Sequence, residues 1–166
     1  MDGCIHWLTG GAFSRIYEEL EIVPPVALRT IERFVTYRDA ATGLAVDITR
    51  DLDALGRVLR ELAPDDGAEI ERLISASRAL TSVDPGVDAP PELSTLREGI
   101  LRMWGMRHEI GDLVHFRKPF DTYLREHVKS ERLGRVLSAL APPTAPALVL
   151  LMVLGYLERG SLSRPV

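Results

Sequence analysis

The apolar positions of this 166-residue chain fall into two regimes. Up to residue 49 they come in short or alternating groups. From residue 52 onward they recur every three or four positions. Ile5, Trp7 and Leu8 form a brief apolar run closed by Gly10-Gly11. Glycine there permits a sharp turn or a close backbone approach, so the run predicts a short strand and a turn. Phe13, Ile16, Tyr17 and Leu20 follow at helical spacing, and Pro24-Pro25 ends that pattern. Phe34 to Arg38 and Leu44 to Thr49 then read as two strands. In the second, Leu44, Val46 and Ile48 alternate with Ala45, Asp47 and Thr49, the period of a half-buried strand. Gly43 in the intervening turn predicts a hairpin.

Helices are predicted from there on. Leu52, Leu55, Val58, Leu59 and Leu62 form one stripe, which Pro64 ends. Asp66 is placed to cap the next helix, with Glu69 three residues on as its capping-box partner. Ile70, Leu73, Ile74, Ser77 and Leu80 make that second stripe. Residues 81–91, rich in Pro, Gly and Asp, form a loop that separates two lobes of one domain. Leu93, Leu96, Ile100, Leu101, Met103 and Trp104 open a third helix that runs to Phe116, with an interruption at Gly105 or Gly111 as an option. Pro119 sits in the first turn of a helix carrying Phe120, Tyr123, Leu124 and Val128. Ser130 caps a helix with Leu133, Val136, Leu137 and Leu140. Pro142-Pro143 breaks it, Thr144 caps the apolar run Ala145 to Leu157, and Gly160 onward reads as a tail. The expected fold class is α+β: mostly α-helical, with a small antiparallel sheet made of the hairpin near 34–49 plus the N-terminal strand. Residues 1–166 form a single domain.

Composition narrows the function classes. Hydrophobic residues make up 46% and charged residues 27%, a globular balance. The net charge of −4 gives no basic face for nucleic acid. Basic residues do outnumber acidic ones between Arg97 and Arg135, but the signs interleave, as on a solvated helix surface. Cys4 is the sole cysteine, so no internal disulfide forms, which fits a reducing, cytoplasmic compartment. Its apolar setting predicts a small buried hydrophobe. The run Ala145 to Leu157 has thirteen residues, against about twenty for a membrane span. It reads as a core helix, with contact at a membrane surface as the alternative.

Candidate chemistry is sparse. His6, His108, His115 and His127 form no metal signature. His108 and His115 are seven apart with Asp112 between them, yet no Cys pair or His-Glu-x-x-His accompanies them; no metal ligand is assigned. No Gly-x-Ser-x-Gly elbow surrounds Ser14, Ser75, Ser77 or Ser161. Asp65-Asp66 and Glu18-Glu19 are explained by capping and solvation. No catalytic residue is assigned. The group Met103, Trp104, Met106, Phe116, Phe120 and Tyr123 could meet a long apolar ligand, since thioethers and flat rings adapt to one; it could equally be ordinary helical core.

The opening Asp-Gly-Cys-Ile-His-Trp-Leu (residues 2–8), its glycine turn, and an aromatic residue leading into Glu18-Glu19-Leu20 resemble a segment of the phytoene-dehydrogenase-like flavoproteins, a family of carotenoid desaturases, isomerases and related FAD-dependent oxidoreductases. The resemblance continues through Leu44 to Leu62, the Ala63-Pro64-Asp65-Asp66 junction and the helices from Phe120 to Leu140. The final Gly160-to-Val166 stretch looks like the approach to a Pro-x-Gly-Gly segment. A dinucleotide site needs strand, GxGxxG and helix. Thr9-Gly10-Gly11 has the wrong spacing, and the chain contains no such motif. The resemblance therefore implies an internal fragment, the substrate-binding domain, with FAD held by the rest of the parent enzyme and no cofactor in this chain.

It also implies that His6, Trp7, Met103, Trp104, Phe116, Phe120 and Tyr123 line the substrate cavity, and that the substrate is an apolar polyene or isoprenoid. Arg102, Arg107, Arg117 and Lys118 would then meet lipid headgroups at the membrane periphery. His6 has a plain alternative, a hydrogen bond that fixes the strand junction. The implied partners are the apolar substrate and an FAD domain in trans or a second copy, with no nucleic acid. A partner in trans predicts an exposed apolar patch near Ile5 to Gly11 and near the tail. A free-standing helical protein that binds a hydrophobic ligand or another protein is the alternative, and predicts that its apolar surfaces are covered.

Overall fold

A computed structural model of the protein describes residues 7–8, 18–21, 28–82 and 107–165. The fold is α+β and mostly helical. Five strands are present among the described residues: β1 (Trp7–Leu8), β2 (Leu28–Thr30), β3 (Arg33–Arg38), β4 (Ala45–Thr49) and β5 (Leu162–Pro165). Six helices accompany them among the described residues: α1 (Leu52–Leu62), α2 (Gly67–Ser82), α3 (Arg107–Phe116), α4 (Phe120–His127), α5 (Glu131–Ser138) and α6 (Leu148–Glu158). A single 3-10 turn, Pro64–Asp66, joins α1 to α2.

The strands make two antiparallel sheets, not one. β3 and β4 form the expected hairpin, with Val35 opposite Ile48 and Tyr37 opposite Val46. Its turn closes through Gly43 N–H to the Asp39 carbonyl (2.8 Å) and Asp39 N–H to the Leu44 carbonyl (2.9 Å). Gly43 has φ +71°, a conformation in which a Cβ is strained. Val46 and Ile48 are buried while Ala45 and Asp47 face outward, as the alternation requires. The N-terminal strand does not join this hairpin. It belongs to a second sheet of order β1-β5-β2, in which Trp7 pairs with Ser163, Leu8 with Leu162 and Thr30 with Ser163. The stretch expected to be a tail is thus the central strand. The Gly160 turn (φ +69°) makes this possible, with Gly160 N–H donating to the Leu157 carbonyl and Ser161 N–H to that of Tyr156. These bonds end α6 and send the chain back antiparallel.

The core lies between the six helices and the inner face of β4. Leu52, Leu55 and Leu59 of α1 are buried, while Val58, expected on that stripe, is exposed. α2 buries Ile70, Leu73, Ile74 and Ala76, and α6 buries Leu150, Leu151, Leu154 and Leu157. α2 and α6 approach closely at Gly155, where an added Cβ would sit 2.3 Å from the Ser77 carbonyl oxygen. α6 starts later than Thr144 would allow. Its first turn follows Ala147, with no side-chain cap. The preceding Pro142–Pro146 stretch is occupied elsewhere: Ala145 accepts from Phe120 N–H (2.8 Å), and Ala147 N–H donates to the Lys118 carbonyl (2.9 Å). Among the described residues no helix is long and apolar enough to cross a membrane.

Candidate functional site

The junction between the 3-10 turn and α2 gathers three other segments around two carboxylates. Asp66 is 3% exposed. Its two oxygens accept from the backbone N–H groups of Lys129 and Ser130, each at 2.8 Å. It does not cap α2; it holds the link between α4 and α5. Ser130 in turn caps α5 by accepting from Leu133 N–H. Glu69, one turn further on, does not close a capping box either. Its Oε1 accepts from the Tyr123 hydroxyl at 2.7 Å and lies 2.8 Å from His115 Nε2. Charge-assisted bonds of this kind are roughly twice as strong as neutral ones, so both acids act as long-range clamps.

These clamps bring two histidines together. His115 lies in the last turn of α3, and His127 ends α4, one turn beyond Tyr123. Because Asp66 fixes the chain immediately after His127, that ring is held against His115, with centroids 4.2 Å apart and planes tilted by 48°. The coordinating atoms of Glu69, His115 and His127 all lie within 4.8 Å of one another. Their side chains are 17%, 13% and 28% exposed, so the cluster is half-buried and opens to solvent at His127. Burial first, and then the Glu69 carboxylate, push the Tyr123 phenol well above its ordinary range. The hydroxyl is therefore a fixed donor. Arg72, one turn after Glu69, is paired with Asp112 at 2.9 Å, so its charge is met on the same pair of helices.

Beneath this polar cluster lie three of the residues expected to line a substrate cavity. Phe116, Phe120 and Tyr123 are between 0% and 1% exposed. Phe116 and Tyr123 have centroids 5.1 Å apart, and Phe120 stacks on Tyr123 at 6.2 Å. The structure seats all three in the core, where they face one another. Trp7 is brought by β1 to the outer edge of the three-stranded sheet. His6, Met103, Trp104 and Met106 lie outside the described residues, and so does most of the stretch Ile5 to Gly11. Of the basic residues assigned to headgroups, Arg117 is exposed and Lys118 is paired with Glu126.

The Glu69–His115–His127 grouping was not visible in the sequence. Its members are 46 and 12 positions apart along the chain and share no short spacing. Comparison with family models, with curated proteins and with solved structures finds no match.

Proposed function

We propose that this chain is the substrate-binding portion of a flavin-dependent oxidoreductase, a desaturase or isomerase acting on an apolar polyene or isoprenoid, and that it is not catalytic alone. The observation that carries this reading is the pairing of β1 with β5. The two stretches at the ends of the resemblance, Asp2 to Leu8 and Gly160 to Val166, are more than 150 positions apart in the chain. Trp7–Leu8 of the first pairs with Leu162–Ser163 of the second in one sheet, as parts of a single surface should. The β1–β5 pair puts Trp7 at a sheet edge, where the chain of a cofactor domain could continue the sheet.

The described residues do not fit FAD. Both sheets are antiparallel, and a dinucleotide site needs a parallel strand–helix–strand unit with its glycine turn. The flavin of the parent enzyme therefore belongs to other parts of it, and no redox step is assigned to residues here. His6, Trp7, Met103 and Trp104 would contact the substrate, while Phe116, Phe120 and Tyr123, buried and facing one another, would supply the packed apolar wall of the domain. The setting is cytoplasmic, peripheral to the membrane from which the substrate is drawn, with Arg117 available to headgroups.

The test is to purify the chain, record its flavin absorbance, and follow thermal unfolding with and without added FAD. A colourless, cooperatively folding protein indifferent to FAD, whose solvent extract carries isoprenoid lipid, is the expected result. Bound flavin, or an unfolding temperature raised by FAD, contradicts the reading.

A further inference from the structure

The helix-end cluster described above has a chemistry that substrate binding does not use. Two imidazoles converge on one carboxylate in a half-buried corner. His115 is hydrogen-bonded to Glu69. His127 makes no hydrogen bond among the described residues, and its Nε2 lies 3.7 Å from the Glu126 carboxylate. Its ring lies 4.2 Å from that of His115, and the ligand atoms of His127, His115 and Glu69 lie within 4.8 Å of one another. A cation there would satisfy all three groups at once.

We propose that Glu69, His115 and His127 form a binding site for a divalent first-row transition-metal ion of the zinc class. Imidazole nitrogen and carboxylate oxygen suit such ions. Zinc binds these donors at about 2.0–2.2 Å, with three protein ligands and an open position for water as a common arrangement. Tetrahedral bonds of that length set donors about 3.4 Å apart. Here Glu69 Oε1 and His115 Nε2 are 2.8 Å apart, and the whole set lies within 4.8 Å. Closing on an ion requires the first pair to open by about half an ångström and the others to move by little more than one. His127, at the end of α4 and the most exposed of the three, has the freedom to do so. Tyr123 supplies what metal sites require behind a ligand, a donor that orients the carboxylate. Asp66 fixes the backbone beyond His127 without competing for the ion, because both its oxygens are engaged by N–H groups. The ion would tie α2, α3 and α4 together at one point, and the fourth position would face solvent beside His127.

The experiment titrates the metal-free full chain with Co²⁺ and Zn²⁺. One Co²⁺ per chain should bind with the visible absorption of a four- or five-coordinate site. Saturating Zn²⁺, at about a hundred times its Kd, should raise the unfolding temperature by about 5–10 °C. His127→Ala should weaken binding by more than tenfold, and Tyr123→Phe by about tenfold. In the unaltered chain, Zn²⁺ should shift the imidazole nitrogen resonances of His115 and His127 and leave those of His6 and His108 in place. Absence of Co²⁺ and Zn²⁺ binding overturns the assignment. So does unchanged affinity in His127→Ala, or a thiolate-to-metal charge-transfer band, which would put the ion on Cys4. The resonance shifts decide the matter even where a variant fails to fold.

Discussion

Gly155→Ala tests the helix contact that positions the Glu69 helix. Replacing a helical glycine by alanine normally stabilises a protein by about 1 kcal/mol, through propensity alone. Here the added Cβ would lie 2.3 Å from the Ser77 carbonyl oxygen, 2.5 Å from Thr81 Cγ2 and 2.8 Å from Thr81 Oγ1. Ordinary contact begins near 3.4 Å, so the backbones of α2 and α6 must part by about 1 Å. A carbonyl cannot swing aside as a long side chain can. Ser77 is fully buried, and Leu151 and Leu154 beside Gly155 are each 1% exposed, so the separation would loosen close-packed leucines. Overpacking of this kind costs about 1–3 kcal/mol and sometimes more. With the steric cost at or above the top of that range, the net loss is about 2 kcal/mol after the propensity gain. Urea unfolding followed by far-UV circular dichroism measures it, and thermal unfolding should fall by about 4–8 °C. An alanine variant as stable as the parent, or more stable by the propensity term, refutes the close approach of α2 and α6.

Two further outcomes follow from the carboxylate clamps. Asp66→Ala leaves the N–H groups of Lys129 and Ser130 without their acceptors in a site 3% exposed; at about 1.5–3 kcal/mol for each charge-assisted bond, a loss of roughly 3 kcal/mol or more is expected by urea unfolding. Tyr123 gives a pH dependence. Burial and then Glu69 raise its folded-state pKa above the ordinary value of 10.0, so its stabilising contribution is complete below pH 10 and is lost as pH rises beyond the unfolded-state value. Alkaline titration of tyrosinate absorbance should therefore show one tyrosine ionising only as the fold melts, and Tyr123→Phe should remove that step.

Local structure was legible wherever a signal lies within one turn or one hairpin. Leu52, Leu55 and Leu59 announce α1, and Val46 and Ile48 beside Gly43 announce β4 and its turn. Ser130 announces the start of α5. What was hidden is non-local. Leu162–Pro165 has neither the alternation nor the β-branched residues of a strand, and its partners lie at the other end of the chain. Thr144 looks like a cap, but Pro146 follows and disfavours helical backbone before it, and the segment is drawn instead to Lys118 and Phe120. Asp66 and Glu69 fit a capping box by spacing alone. Their actual partners, the Lys129–Ser130 backbone and the Tyr123–His115 pair, come from tertiary packing that no window of sequence contains. The aromatic group was legible as apolar, but whether it faces a ligand or itself depends on burial. Phe116, Phe120 and Tyr123 face one another.

The most direct test of the substrate-binding reading uses the chain's two tryptophans, Trp7 and Trp104, both assigned to substrate contact. Titration of the purified protein with a conjugated tetraene fatty acid, exciting tryptophan and reading polyene emission, reports on that surface alone. The account predicts saturable energy transfer that is reduced in a Trp7→Phe variant and again in Trp104→Phe. A folded protein that shows no transfer, or transfer that grows without saturation as in simple partitioning, contradicts it.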